Sequence, residues 1–184
     1  MASYGSLSSQ TNATQSFQSA EFDTRHRIIT AGSTRKEIKE QFEHALKRTR
    51  SSANSSNNID EFYAINFHDG CSYLKPGYSN DVFERVSTLI SRHDNYKLIK
   101  EVTVLQMTSL NMDAKSLEKV SKQILRPLLA NDYGYRDAFN DDHLVTMPIT
   151  EFYFGNSDVL FDNRIFHDLI VKHTSGPKVL VFNQ

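Results

Sequence analysis

Apolar residues recur along this chain with two different periods. In RKEIKEQFEHAL (35–46), Ile38, Phe42, Ala45 and Leu46 lie three or four residues apart or side by side, which puts them on one face of an amphipathic helix. Thr34 before it and Glu37 within its first turn form a capping-box pattern, in which hydroxyl and carboxylate satisfy each other's free backbone N–H groups. In FYAINF (62–67) the period is two, with Tyr63, Ile65 and Phe67 on one side of a strand. Asp69-Gly70 then reads as a two-residue hairpin loop leading into the strand CSYL (71–74), and Pro76-Gly77 as a break in the chain.

Ser79 or Asn80 caps a second helix striped by Val82, Phe83, Val86, Leu89 and Ile90. A β-branched stretch over 96–108 predicts a strand. A third helix follows, capped at Asp113, with Leu117, Val120, Ile124, Leu125 and Leu128 on its buried side and Pro127 to kink or end it. Short strands at 27–30, 144–147, 149–154 and 179–182 and a helix over 163–173 complete the pattern.

The resulting order is βαββα followed by βαββαβ. It predicts an α+β fold: a two-layer sandwich of ferredoxin-like kind, a mainly antiparallel sheet with helices on one face. The tripeptide Glu-Phe-Tyr occurs at Glu61 and again at Glu151, and NDVFERV (80–86) shares its apolar register with NRIFHDL (163–169). A duplicated βαββα unit and plain coincidence both account for this, because any capped amphipathic helix supplies the second match.

Residues 1–20 are mostly Ser, Thr, Gln, Asn and Ala, too polar to offset their own ordering entropy. They predict a polar tail, disordered or ordered only by a partner. Residues 21–184 then form a single domain, with 21–95 and 96–184 as sub-halves. SSANSSNN (51–58) reads as a flexible connection.

At 39% hydrophobic and 23% charged residues the chain has the composition of a globular domain. Its most apolar windows, VTVLQM (102–107) and VLVF (179–182), are of strand length, so no membrane span is predicted. The first residues carry neither the basic start and apolar run of a signal peptide nor the arginines of a transit peptide. The single Cys71 excludes an internal disulfide framework and a Cys-based zinc site. Together these predict an intracellular, cytoplasmic protein, with the nucleus as an alternative.

A net charge of −1 hides an uneven distribution. Between residues 25 and 50 eight bases face three acids, about +5, and between 132 and 168 eight acids face two bases, about −6. The basic segment (Arg25, Arg27, Arg35, Lys36, Lys39, Lys47, Arg48, Arg50) is a candidate for nucleic-acid binding, with base stacking on the strand aromatics Phe62, Tyr63, Phe67, Tyr73, Phe152, Tyr153 and Phe154.

Three further constellations carry chemistry. His68, Asp69 and Cys71 flank and form the hairpin loop, where an imidazole facing the thiol would activate it as a nucleophile. Asp137, Asp141, Asp142 and His143 offer oxygen and imidazole ligands to a divalent cation. Tyr4, Leu7 and Phe17 are apolar anchors in an otherwise polar tail, suited to the groove of a second copy. Glycine-rich phosphate loops and the motifs of serine hydrolases and zinc proteases are missing, so no cofactor and no resident metal are predicted.

The pattern as a whole predicts a non-enzymatic interaction or self-assembling structural protein. Its partners would be itself, as a homo-oligomer, or another protein, and no membrane. An RNA- or DNA-binding accessory protein is the alternative, and a small thiol-dependent enzyme centred on His68 and Cys71 the third reading.

Overall fold

A computed structural model describes residues 24–46, 60–90, 98–130 and 152–183. They form six strands, β1 (Thr24–Ile29), β2 (Glu61–Asp69), β3 (Cys71–Ser79), β4 (Ile99–Met107), β5 (Tyr153–Phe154) and β6 (Thr174–Asn183). Five α-helices lie between them: α1 (Arg35–Ala45), α2 (Val82–Ile90), α3 (Ala114–Leu125), α4 (Asp158–Phe161) and α5 (Arg164–His173).

The strands build one mixed sheet in the order β1-β6-β4-β2-β3-β5. Its pairings are antiparallel except that of β1 with β6. The class is therefore mixed α+β, as the element pattern predicts. Strands from the two halves of the chain interleave, since β6 and β4 separate β1 from β2. The element order β1-α1-β2-β3-α2-β4 matches the expectation, but among the described residues β1 lies at an edge, paired only with β6.

The expected two-layer arrangement with helices on one face is corrected. On the front face, Ile38 and Phe42 of α1 and Phe83 and Val86 of α2 pack on Tyr63, Ile65 and Val104. On the back face, Leu117 of α3, Leu160 of α4 and Phe166 and Ile170 of α5 pack on Phe62, Ala64 and Leu105. The reason lies in β2 and β4. Both of their faces are apolar, Phe62, Tyr63, Ala64 and Ile65 all being buried, and a strand apolar on both sides lowers its free energy only when both are covered.

Local signals hold where they rest on neighbouring residues. Thr34 Oγ1 accepts from Glu37 N at 3.3 Å and Glu37 Oε2 accepts from Thr34 N at 2.7 Å, the complete capping box. Asp113 Oδ1 accepts from Ser116 N at 2.7 Å at the start of α3, which ends in a 3-10 turn, Arg126–Leu128, at Pro127. The start of α2 differs from expectation: Asp81 Oδ1 takes the Glu84 N–H at 3.0 Å, while Ser79 Oγ takes that of Asp81 at 3.1 Å.

Pro76-Gly77 does not break the chain. β3 continues through both to Ser79, because β5 reaches only Tyr73 and Leu74 and leaves no ladder on that side of Pro76 among the described residues. Gly77 is needed there by its neighbour across the ladder, Tyr63, whose ring covers it. The expected strand at 144–147 and the first half of that at 149–154 lie outside the described residues.

Candidate functional site

The segment KSLEKVSKQILR (115–126) forms α3 and its closing turn. Ala114, Leu117, Ser121 and Leu125 are buried against the back of the sheet. With 3.6 residues per turn, this inward set leaves Lys115, Lys119, Lys122 and Arg126, spaced four, three and four apart, as one row on the outward side, about 16 Å long. Lys115, Lys119 and Arg126 are exposed, and Lys122 is partly buried in an ion pair with Glu118 at 3.0 Å. The row begins beside the N-cap Asp113, whose carboxyl is held below its ordinary value by hydrogen bonds from Ser116 and, to a lesser degree, by the charge of Lys115.

α4 and α5 pack beside α3 in the same back layer. They bring exposed acids, Asp158, Asp162 and Asp168, and exposed apolar side chains, Val159, Ile165 and Val171, the last three 40%, 65% and 55% exposed. A buried polar junction sets α4 in place. Ser157, directly before α4, donates from Oγ to Glu101 Oε1 at 2.8 Å and accepts from Asn66 Nδ2 at 3.0 Å. Asn66 Nδ2 also donates to Glu101 Oε1 at 2.5 Å. This ties the acid-bearing turn to the end of β2 and the start of β4. At the other end of the sheet, Thr108 N, just after β4, donates to His173 O at 2.8 Å and ties the end of α5 to the end of β4. Charge is mixed along the back layer: Asp158 and Asp162 share their end with exposed Arg126 and Arg164, and Lys115 and Lys172 are also exposed.

The sequence reading did not single out this row. Asp113 and Glu118 dilute the charge summed along the chain, whereas the 4-3-4 spacing of the bases was there to be read.

Where the residues singled out from sequence fall is mixed. Arg25 and Arg27 are exposed on the edge strand β1. Arg35 and Lys39 on α1 are engaged: Glu84 Oε2 takes Arg35 at 2.7 Å, Glu84 Oε1 takes Lys39 at 3.4 Å, and both cations lie over the Phe83 ring at 5.5 and 5.8 Å. Lys36 is exposed, but α1 also carries Glu37, Glu40 and Glu43, so the helix is not a basic patch. Lys47, Arg48 and Arg50 lie outside the described residues, as do Tyr4, Leu7 and Phe17 and the cation candidates Asp137, Asp141, Asp142 and His143. Among the described residues no group of three or more His, Cys, Asp or Glu is placed to hold a metal ion.

The strand aromatics do not form a stacking platform. Phe62, Tyr63, Phe67, Tyr73, Phe152 and Tyr153 are buried in the two cores, and only Phe154, on the edge strand β5, is exposed, at 43%. The hairpin does not join imidazole to thiol either. Its register pairs Asp69 with Cys71 and His68 with Ser72, and His68 Nδ1 lies 3.2 Å from Ser72 Oγ. Neighbouring residues of a strand point to opposite faces, so exposed Cys71 lies on the side away from His68.

No family model, curated protein or solved structure matches this chain. What it does is therefore argued from its own surface.

Proposed function

We propose that this chain is a non-enzymatic interaction protein that self-associates. Contacts run through its charged helical layer and its polar N-terminal segment, 1–20, in which Tyr4, Leu7 and Phe17 serve as apolar anchors. The observation that carries this reading is the outward row Lys115, Lys119, Lys122 and Arg126, set in the same layer as Asp158, Asp162 and Asp168. Charge in such a contact steers approach and sets register, while the exposed Val159, Ile165 and Val171 supply apolar area to hold it. A reducing, intracellular and cytoplasmic location accords with the exposed free thiol of Cys71.

Binding of RNA or DNA is the second reading. It draws on the same α3 row together with Arg25 and Arg27, and it would rest on phosphate contacts alone, since the strand aromatics are buried.

Gel filtration with light scattering and absorbance at two wavelengths tests both. The full chain is expected to run larger than a monomer, to shift toward monomer when residues 1–20 are deleted, and to associate more slowly at raised salt. A full chain that stays monomeric at high concentration and low salt overturns self-association.

A further inference from the structure

We infer, resting on the self-association reading above, that two copies join edge to edge: residues 21–27 of one pair antiparallel with residues 21–27 of the other, about a two-fold axis at Thr24. The edge itself is built for this. Ile29 turns its N–H and C=O away from β6, to Gln41. β1 pairs with β6 without a register shift, so Arg27 and Arg25, at every second position before Ile29, turn theirs the same way. Among the described residues no strand pairs with β1 on that side. An open edge of this kind is a template for an added strand.

Charge selects the strand and its register. The sequence EFDTRHR (21–27) has acids at 21 and 23 and bases at 25 and 27, with Thr24 between them. Ile28 lies in the front core, so Arg25 and Arg27 stand on the back side of β1. Continued through Glu21 and Asp23, which lie outside the described residues, the same alternation sets both acids on that side too. Turned about Thr24, Asp23 of each copy lies opposite Arg25 of the other, and Glu21 opposite Arg27. All are positions whose N–H and C=O point outward, so each pair exchanges both main-chain hydrogen bonds and sets opposite charges face to face. An axis at His26 would set Arg25 against Arg27, and an axis at Arg25 or Asp23 would set a charge against its own copy; like charges directly opposite destabilise such a pairing. The contact is isologous, and it closes at two copies with one sheet running through both. Its ladder ends at Arg27, because Gln41 holds both polar groups of Ile29. Beyond lies a groove of about 520 Å³ between β1 and α1, lined by Glu37, Glu40, Gln41 and His44. Residues 1–20 of the second copy enter it, with no acidic side chain to repel those carboxylates and many hydroxyls and amides to donate to them.

Cross-linking in the full-length chain tests the register. At the axis the two Thr24 Cα atoms lie about 4.5 Å apart, the spacing of a non-hydrogen-bonded pair and within disulfide reach. Thr24→Cys in a Cys71→Ser background is expected to oxidise to a covalent dimer. His26→Cys in that background, opposite Phe22 rather than its own copy, is expected to stay a monomer on a denaturing gel. Charge exchange tests the pairing. Glu21→Lys/Asp23→Lys and Arg25→Glu/Arg27→Glu are each expected to weaken dimerisation about tenfold or more by light scattering at low salt, and their equimolar mixture to restore a mass of two copies. Arg25 and Arg27 are exposed, and circular dichroism checks that both variants fold. Oligomers that ignore both exchanges and fail to cross-link at position 24 overturn this contact while leaving self-association standing. A wild-type chain that stays monomeric overturns both. An Arg27 amide equally protected from hydrogen exchange in dilute monomer and in dimer shows that the chain covers its own edge, and it too overturns the contact.

Discussion

The side-chain amide of Gln41 on α1 grips the backbone of Ile29 on β1 at both polar groups. Gln41 Oε1 accepts from Ile29 N at 2.7 Å and Gln41 Nε2 donates to Ile29 O at 3.0 Å. Among the described residues β1 is the outer strand on that side of the sheet, and Ile29 points its N–H and C=O away from β6, the pose in which an edge strand recruits foreign strands. The amide takes the place of the missing strand for one residue. Gln41→Ala is expected to lower stability by roughly 1–2 kcal/mol through two lost hydrogen bonds. It should also speed hydrogen exchange at the Ile29 amide, read by NMR, and an unchanged rate would show that the grip does not persist in solution.

Gly77 and Tyr63 are a second coupled pair. A Cβ on Gly77 would lie 2.2 Å from Tyr63 Oη and 2.3 Å from Cζ, and the ring has little freedom because Tyr63 is buried and Arg85 Nε donates to its hydroxyl at 3.3 Å. Gly77→Ala should therefore destabilise by roughly 1–3 kcal/mol, the range for overpacking a closed core. In a Tyr63→Ala background the same change should cost much less, by urea denaturation, and equal costs in both backgrounds would disprove the coupling.

Ser157→Ala removes one donor and one acceptor from the junction with Asn66 and Glu101. Expected is a loss of about 1–2 kcal/mol and faster exchange of the Leu160 and Phe161 amides, both of which donate to Ser157 O at 2.9 Å. If α4 is held by packing of Leu160 alone, those two amides will keep their protection.

Acid sensitivity has an identifiable source at two helix starts. The Thr34 backbone N–H first, and its hydroxyl second, hold the Glu37 carboxyl below its ordinary 4.5, and Ser116 does the same for Asp113 below 3.8. Carboxylates depressed in the folded state add stability above their unfolded values and lose it as pH falls through the folded ones. The urea midpoint of the wild-type chain should thus fall from pH 4.5 downward through 3.8, and that of Glu37→Gln/Asp113→Asn should fall less steeply over the same window. Parallel curves would rule out both caps as the source.

Cys71 should behave as an exposed thiol that does not depend on His68. Its alkylation rate in the folded chain, followed across pH, should be the same in His68→Ala, because the register sets His68 against Ser72 on the other face. A slowed reaction in that variant would restore the thiol–imidazole pair and an enzymatic reading.

The two Glu-Phe-Tyr copies show how far a pattern reaches. In the first, Phe62 faces the back core and Tyr63 the front; in the second, Phe152 faces the front and Tyr153 the back. One copy lies in the nine-residue central strand β2, and the second runs into the two-residue edge strand β5. The same three letters thus serve opposite sides of the sheet, and nothing local to them says which.

By itself the amino-acid sequence determined the elements whose causes lie within a few residues. These are the Thr34–Glu37 box, the Asp113 cap, the stripes of α1, α2 and α3, and the alternation in β2. Each depends on contacts one helical turn or one strand pair long, so it survives without knowledge of the rest. Tertiary structure alone decided which helix covers which face, the insertion of β6 between β1 and β4, and the fate of the charges. Arg35 meets Glu84 across 49 residues of chain, and the acids of α4 and α5 share a layer with the bases of α3 only because these helices cross the same side of the sheet. Double coverage, against the one covered face expected, has its signal in the apolar run Phe62–Ile65 of β2. The charged layer was not legible, because charge counted along a chain is not charge on a face, and only packing of the apolar sides turns α3 so that its four bases point outward together.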